Sequence, residues 1–240
     1  MLERLRHRIQ EKSADMHARP VTIAALGDSV TAGVFERVDY DFAAVYHARL
    51  KRLLEARWPQ CIFNVLNVGV NGDSAPGGLA RLERDVVPHQ PDLVIIAFGL
   101  NDSGGGEAGR GRFADALRGI ARALRERTEA ELLFLTPSFM NSRDAGDAVA
   151  PNHRAANLPA LFAERQNSGL LAHYAGEVRA VAAEFGCPVA DVYRAWEKLA
   201  QAGADTTAML ANGLNHPDRE AHRIPAELIM QCIDATGAQE

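Results

Sequence analysis

Leu93-Val94-Ile95-Ile96-Ala97-Phe98 is an unbroken apolar run, far too short to cross a membrane and lacking the polar alternation of a half-exposed strand. Runs of this kind belong to central parallel strands covered on both faces. Parallel neighbours require long crossovers, so the rest of the chain should alternate such runs with helices. It does. Val21–Leu26, Ile62–Val68, Glu131–Thr136 and the short Pro188–Asp191 read as further strands. Between them, apolar residues at three-to-four spacing predict helices over 41–58 (with Asp41 as cap and Pro59 beyond its end), 79–87, 113–124, 170–185 and 193–200, and a last helix holding Pro225 in its first turns. The expectation is an α/β fold: a three-layer α/β/α sandwich on a five-stranded parallel sheet joined by right-handed crossovers.

The 240 residues are 47% hydrophobic, enough to bury one large core, so a single domain over 20–240 is expected. Leu2, Leu5 and Ile9 sit at helical spacing in a charged segment, predicting a helical extension over 1–19 that packs on the domain or serves a contact between copies. Every apolar pair in Met1–Gln10 is interrupted by charge, which leaves no core for a signal peptide, and no later window spans a membrane. With a net charge of -5 and scattered Lys and Arg, the chain carries no nucleic-acid or anionic-membrane footprint, so small molecules are the expected partners. Cys61, Cys187 and Cys232 lack metal-ligand or C-x-x-C spacing and fit reduced thiols in a cytoplasmic protein.

Three strand ends carry chemistry. Leu26 runs into Gly27-Asp28-Ser29, which puts Ser29 on a sharp corner at the carboxyl end of its strand, where open α/β sheets bind ligands. A phosphate-cradling turn is the competing reading, but Asp28 would repel the anion and no G-x-x-x-x-G-K-[ST] follows. Gly72, in the turn after Ile62–Val68, lets a ligand approach the main chain closely. Asn101 follows Leu93–Phe98 and leaves the sheet at the same edge. His216, in Asn215-His216-Pro217, lies in a turn-rich loop rather than on an apolar helix face, whereas His222 reads as a packed or capping residue. Together the four suit acyl transfer: Ser29 as nucleophile, His216 as base, and the Ser29 N–H, Gly72 N–H and Asn101 amide as oxyanion donors. Asp28, Asp73, Asp102 and Asp191 are better explained as turn and helix-start residues than as metal ligands, and no metal or cofactor is expected.

The blocks Gly27-Asp28-Ser29, Asn67-Val68-Gly69-Val70-Asn71-Gly72-Asp73-Ser74, Gly99-Leu100-Asn101-Asp102 and Asn215-His216-Pro217 make the chain resemble the SGNH hydrolases, or GDSL-type esterases and lipases, from Val21 to about Ile233. The resemblance implies a flavodoxin-like sandwich, Ser29 as nucleophile, His216 as base, and an oxyanion hole of Ser29, Gly72 and Asn101. The family usually carries an aspartate three or four residues before the histidine, and those places hold Gly213 and Asn212. A Ser–His dyad is therefore expected, oriented by Asn212 or a main-chain carbonyl, or else rescued by Asp218 or Asp191.

The polar stretch 138–169, with a short helix near Leu158–Arg165, reads as a long loop acting as lid or binding segment. Its Asn, Arg and His content favours a short acyl group, acetyl first, on a polar or sugar-like alcohol. A thioesterase or lysophospholipase, a catalytically weakened ligand-binding member, and a nucleotide-binding domain are the alternatives.

Overall fold

The computed structural model describes residues 2–36 and 39–235. In chain order its elements are α1 (Glu3–Ala14), β1 (Val21–Gly27), α2 (Ser29–Ala32), β2 (Val34–Glu36), β3 (Asp39–Tyr40), α3 (Tyr46–Arg57), β4 (Phe63–Gly69), α4 (Ala75–Ala80), α5 (Leu82–Asp85), β5 (Leu93–Ala97), α6 (Gly106–Arg127), β6 (Glu131–Leu135), α7 (Pro151–Ala155), α8 (Leu158–Asn167), α9 (Leu170–Glu184), β7 (Val189–Ala190), α10 (Val192–Gln201) and α11 (Arg223–Asp234). Five strands form one sheet in the order β4-β1-β5-β6-β7, with every pairing parallel. This is the flavodoxin-like order, whose chain reverses direction beside β1.

Side chains alternate across the sheet, and each set has its own cover. Ile23, Ala25, Leu93, Ile95, Leu133 and Leu135 pack with Leu5 and Ile9 of α1, Leu50 of α3, Trp196 of α10 and Ile229 of α11. Ala24, Leu26, Val94, Ile96, Leu132 and Phe134 face the other way, onto Phe113, Leu117 and Ile120 of α6 and Val178 of α9. Because β1 and β5 are buried on both faces, their sequences could be uniformly apolar.

The helices depart from expectation in three places. Asp41 does not cap α3: its Oδ1 accepts the Ala43 and Ala44 N–H groups in a local turn, and the helix starts at Tyr46. The helix expected over 79–87 begins at Ala75, where Asp102 accepts the Ala75 N–H at 2.9 Å, and breaks at Arg81. The segment 138–169 is not one long loop, because Pro151 starts α7 and α8 extends to Asn167. A small hairpin of β2 and β3, absent from the sequence reading, stands beside the sheet. Among the described residues no helix is long and apolar enough to cross a membrane.

Candidate active site

In register, Gly27 of β1 faces Gly69 of β4 and Ala97 of β5, so these three strands end level and their loops rise at one edge. Asp28 caps α2 by accepting the Val30 N–H at 2.9 Å, which fixes Ser29 as the first helical residue, only 3% exposed. Ser29 Oγ lies 2.9 Å from His216 Nε2. With the ring proton on Nδ1, the hydroxyl donates to the bare Nε2, the geometry of a nucleophile and its base.

The turn carrying His216 is built by its neighbours. Ala211 N–H donates to the His216 carbonyl at 2.8 Å, and Leu210 bridges to Pro217. Asn212 Oδ1 accepts the N–H groups of Leu214, Asn215 and His216 at 3.0, 3.0 and 3.1 Å, while its Nδ2 donates to Asn215 Oδ1 at 3.1 Å. Asn212 therefore shapes the backbone under the histidine. Its oxygen is fully occupied there, and the expectation that it accepts from the imidazole is corrected.

Asp191 binds Arg179 and Thr136 and caps α10, and Asp218 accepts the Ala221 N–H. Neither hydrogen bonds to His216 among the described residues. Among the described residues His216 Nδ1 is buried without a hydrogen-bond partner. Burial pushes the ring's pKa down to about 4, the Phe35 main-chain carbonyl favours the protonated ring, and His153 of α7 opposes it. The candidate base is therefore neutral at pH 7. Phe35 and His153 were not singled out in the sequence: a main-chain carbonyl leaves no side-chain signature, and His153 was one of many polar residues in its segment.

Gly213, three residues before His216, has φ +65°, and a Cβ there would stand 2.7 Å from Ala145 Cβ, 3.0 Å from Val149 Cγ2 and 3.3 Å from Ala148 Cβ. The 145–149 part of the insertion thus fills the space of a side chain at 213.

The loops after β4 and β5 rise beside the end of β1 and carry the candidate donors. Asn101 Nδ2 donates to the Asp73 carbonyl at 2.8 Å, tying the loop after β5 to the loop after β4, and the amide carries a second proton. Gly72 has φ +76°, and nothing lies within 4 Å of where its Cβ would be, so its main chain is open to an approaching ligand. Among the described residues the Ser29 and Gly72 N–H groups have no acceptor. Asp102 braces this corner through the Ala75 and Gly99 N–H groups, and Asp73 pairs with Arg81. Burial raises the Asp28 pKa to about 7 and the Asp102 pKa to about 6.

The sequence pattern of the GDSL-like Lipase/Acylhydrolase family matches residues 25–224, which include all four converging residues. The chain belongs to this family. It is 30% identical over 154 residues to the thioesterase 1/protease 1/lysophospholipase L1 of Escherichia coli K12, a match covering 64% of this chain and 59% of that protein. It is also 35% identical over 82 residues to an acetylxylan esterase of Geobacillus stearothermophilus, covering 32% of this chain and 37% of the relative. The matches thus span less than two thirds of these relatives' lengths. Among solved structures, an acetylxylan esterase from Geobacillus stearothermophilus superposes with a TM-score of 0.66 at 21% identity, over 89% of this chain and 94% of that one. A two-domain esterase active on acetylated mannans gives 0.72 at 20% identity, over 100% of this chain and 54% of that one. Both solved structures share the sandwich fold found here.

Proposed function

We propose that the chain is a metal-independent serine esterase that removes a short acyl group from a polar alcohol. The observation that carries this is the 2.9 Å contact of Ser29 Oγ with His216 Nε2, at the level strand ends from which the loops bearing Gly72 and Asn101 also rise. Ser29 Oγ attacks the ester carbonyl carbon while His216 Nε2 takes its proton. The carbonyl oxygen becomes an oxyanion held by the three donors. Its collapse expels the alcohol, which leaves with the proton from His216. Water, deprotonated by the same nitrogen, then hydrolyses the acyl-enzyme and restores Ser29.

Among the described residues no carboxylate hydrogen bonds to the imidazole, and the Phe35 carbonyl is the polar group that favours its protonated form. In a serine protease, losing the acid's charge by an Asp-to-Asn change costs about 10⁴ in kcat, mainly through the wrong tautomer. Here the turn built by Asn212 sets the main chain of His216 and the Ser29 hydroxyl meets its Nε2, so the dyad works without the charge of an acid.

A mainly apolar cavity takes in Val30, Leu100 and Pro217, next in sequence to Ser29, Asn101 and His216, together with Leu135, Val192 and Trp196, and we read it as the acyl side. That reading favours acetyl and other short acyl groups over the long chains of a lysophospholipid. The test is labelling by a serine-reactive phosphonate: wild-type protein should take up one label on Ser29, and Ser29→Ala none. No label on either would overturn the reading.

A further inference from the structure

Resting on the serine-esterase reading, a second feature bears on the alcohol half of the substrate. Most large apolar side chains are buried, but Tyr40 (46% exposed), Phe42 (64%) and Val70 (42%) are not. They are three of the seven large hydrophobic residues exposed in the described structure, and all three line one groove. The groove runs along β4 between that edge strand, the β2–β3 hairpin and α3, and is open to solvent. Its upper end is Gly69-Val70-Asn71, which leads directly into Gly72. The end of the groove therefore adjoins the candidate oxyanion corner through the main chain.

The lining discriminates among substrate halves. An acyl chain gains by leaving water completely, which suits the mainly apolar cavity beside Val30 and not an open groove. A phosphate-bearing alcohol needs cations. Among the described residues the groove offers Lys51, which is paired with Glu55, and His47, whose Nε2 is engaged by the Thr31 carbonyl at 3.0 Å. What remains suits a neutral ring with apolar faces and hydroxyl edges. Tyr40 and Phe42 present two rings with centroids 6.0 Å apart, inclined at 40°, against which C–H faces can lie. Exposed Asn71 supplies an amide at the rim toward the reacting corner.

We propose that the Tyr40–Phe42–Asn71 groove is the alcohol subsite and that it binds the sugar rings of an acetylated, uncharged oligosaccharide. Tyr40 and Phe42 act as a specificity platform and take no part in the bond-breaking steps.

The probes are xylotriose and mannotriose, unmodified and partly acetylated, with p-nitrophenyl acetate and octanoate as esters lacking sugar. Wild-type protein should deacetylate at least one acetylated trisaccharide. Phe42→Ala and Tyr40→Ala should each raise its KM about 5- to 10-fold, with kcat and the kcat/KM for p-nitrophenyl acetate within about twofold of wild type. Saturation-transfer NMR with the unmodified trisaccharide should show contact in wild type and lose it in Phe42→Ala. Unchanged KM in both variants overturns the proposal. So does a rise in KM confined to the octanoate, which would make the groove an acyl site. Hydrolysis of p-nitrophenyl acetate with neither turnover nor saturation transfer from any trisaccharide defeats the subsite and leaves the esterase standing. Absence of p-nitrophenyl acetate turnover and of Ser29 labelling defeats the esterase instead, and saturation transfer then judges the groove alone.

Discussion

Replacing Gly213 by Asp restores a carboxylate at the family's usual place, yet the structure predicts that it damages the protein rather than improving it. The backbone there has φ +65°, and a non-glycine residue in that region costs about 1 kcal/mol. The added Cβ would meet Ala145 Cβ at 2.7 Å, Val149 Cγ2 at 3.0 Å and Ala148 Cβ at 3.3 Å, where carbon pairs prefer roughly 3.5–4.0 Å. Forcing the insertion aside is an overpacking change of about 1–3 kcal/mol. The sum, about 2–4 kcal/mol, corresponds to a fall in Tm of roughly 5–15 °C for a chain this long. Thermal denaturation and p-nitrophenyl acetate turnover measure both consequences: lower Tm, and kcat no higher than wild type. The double variant Ala145→Gly/Gly213→Asp removes the nearest clashing atom and should recover part of the lost Tm. A Gly213→Asp protein of wild-type Tm with raised kcat would refute the reasoning, because the insertion would then not occupy the acid's place.

Asn212→Ala leaves three loop N–H groups without their acceptor and should cost about 2–4 kcal/mol in urea denaturation, with a fall in kcat as His216 loses its seat. Asn212→Asp keeps the acceptor and should not raise kcat, since its oxygen stays bound to the loop; a gain in turnover would contradict this. Asn101→Ala removes one oxyanion donor and should lower kcat about 10²–10³-fold with little change in KM, so a loss confined to KM would remove Asn101 from that role. His47 and His216, both with pKa near 4, and His222, near 3, are depressed by burial from 6.5, so unfolding below pH 6.5 takes up their three protons. Asp28 and Asp102, raised by burial to about 7 and 6, work in the opposite sense because the folded chain protonates them first. Three protons against two leave stability falling by a few kcal/mol between about pH 6.5 and 4, and a Tm that stays flat or rises over that range would contradict the balance.

The strands were legible because β1 and β5 are buried on both faces, which leaves a pure apolar signal, and level strand ends then placed Ser29, Gly72 and Asn101 on one edge. What was not legible depends on partners distant in sequence or on the main chain. Asn212 has an oxygen able to accept from a histidine, and only the turn geometry decides that it accepts from three N–H groups instead. Gly213 reads as a missing acid, but what fills the space is Ala145, some seventy residues earlier. The β2–β3 hairpin contributes only five strand residues, too few for a periodic pattern, and it carries the exposed ring of Tyr40. In the insertion, Pro151 signals a turn as readily as the first residue of α7, so a helix of five residues was hidden.

The measurement that bears most directly on the central claim is hydrolysis of p-nitrophenyl acetate, butyrate and octanoate by purified wild-type protein beside Ser29→Ala. Turnover should be present with acetate, fall toward octanoate as the cavity beside Val30 is outgrown, and vanish in Ser29→Ala with the fold intact. Turnover that persists in Ser29→Ala, or none in wild type, would contradict the assignment of Ser29 as nucleophile.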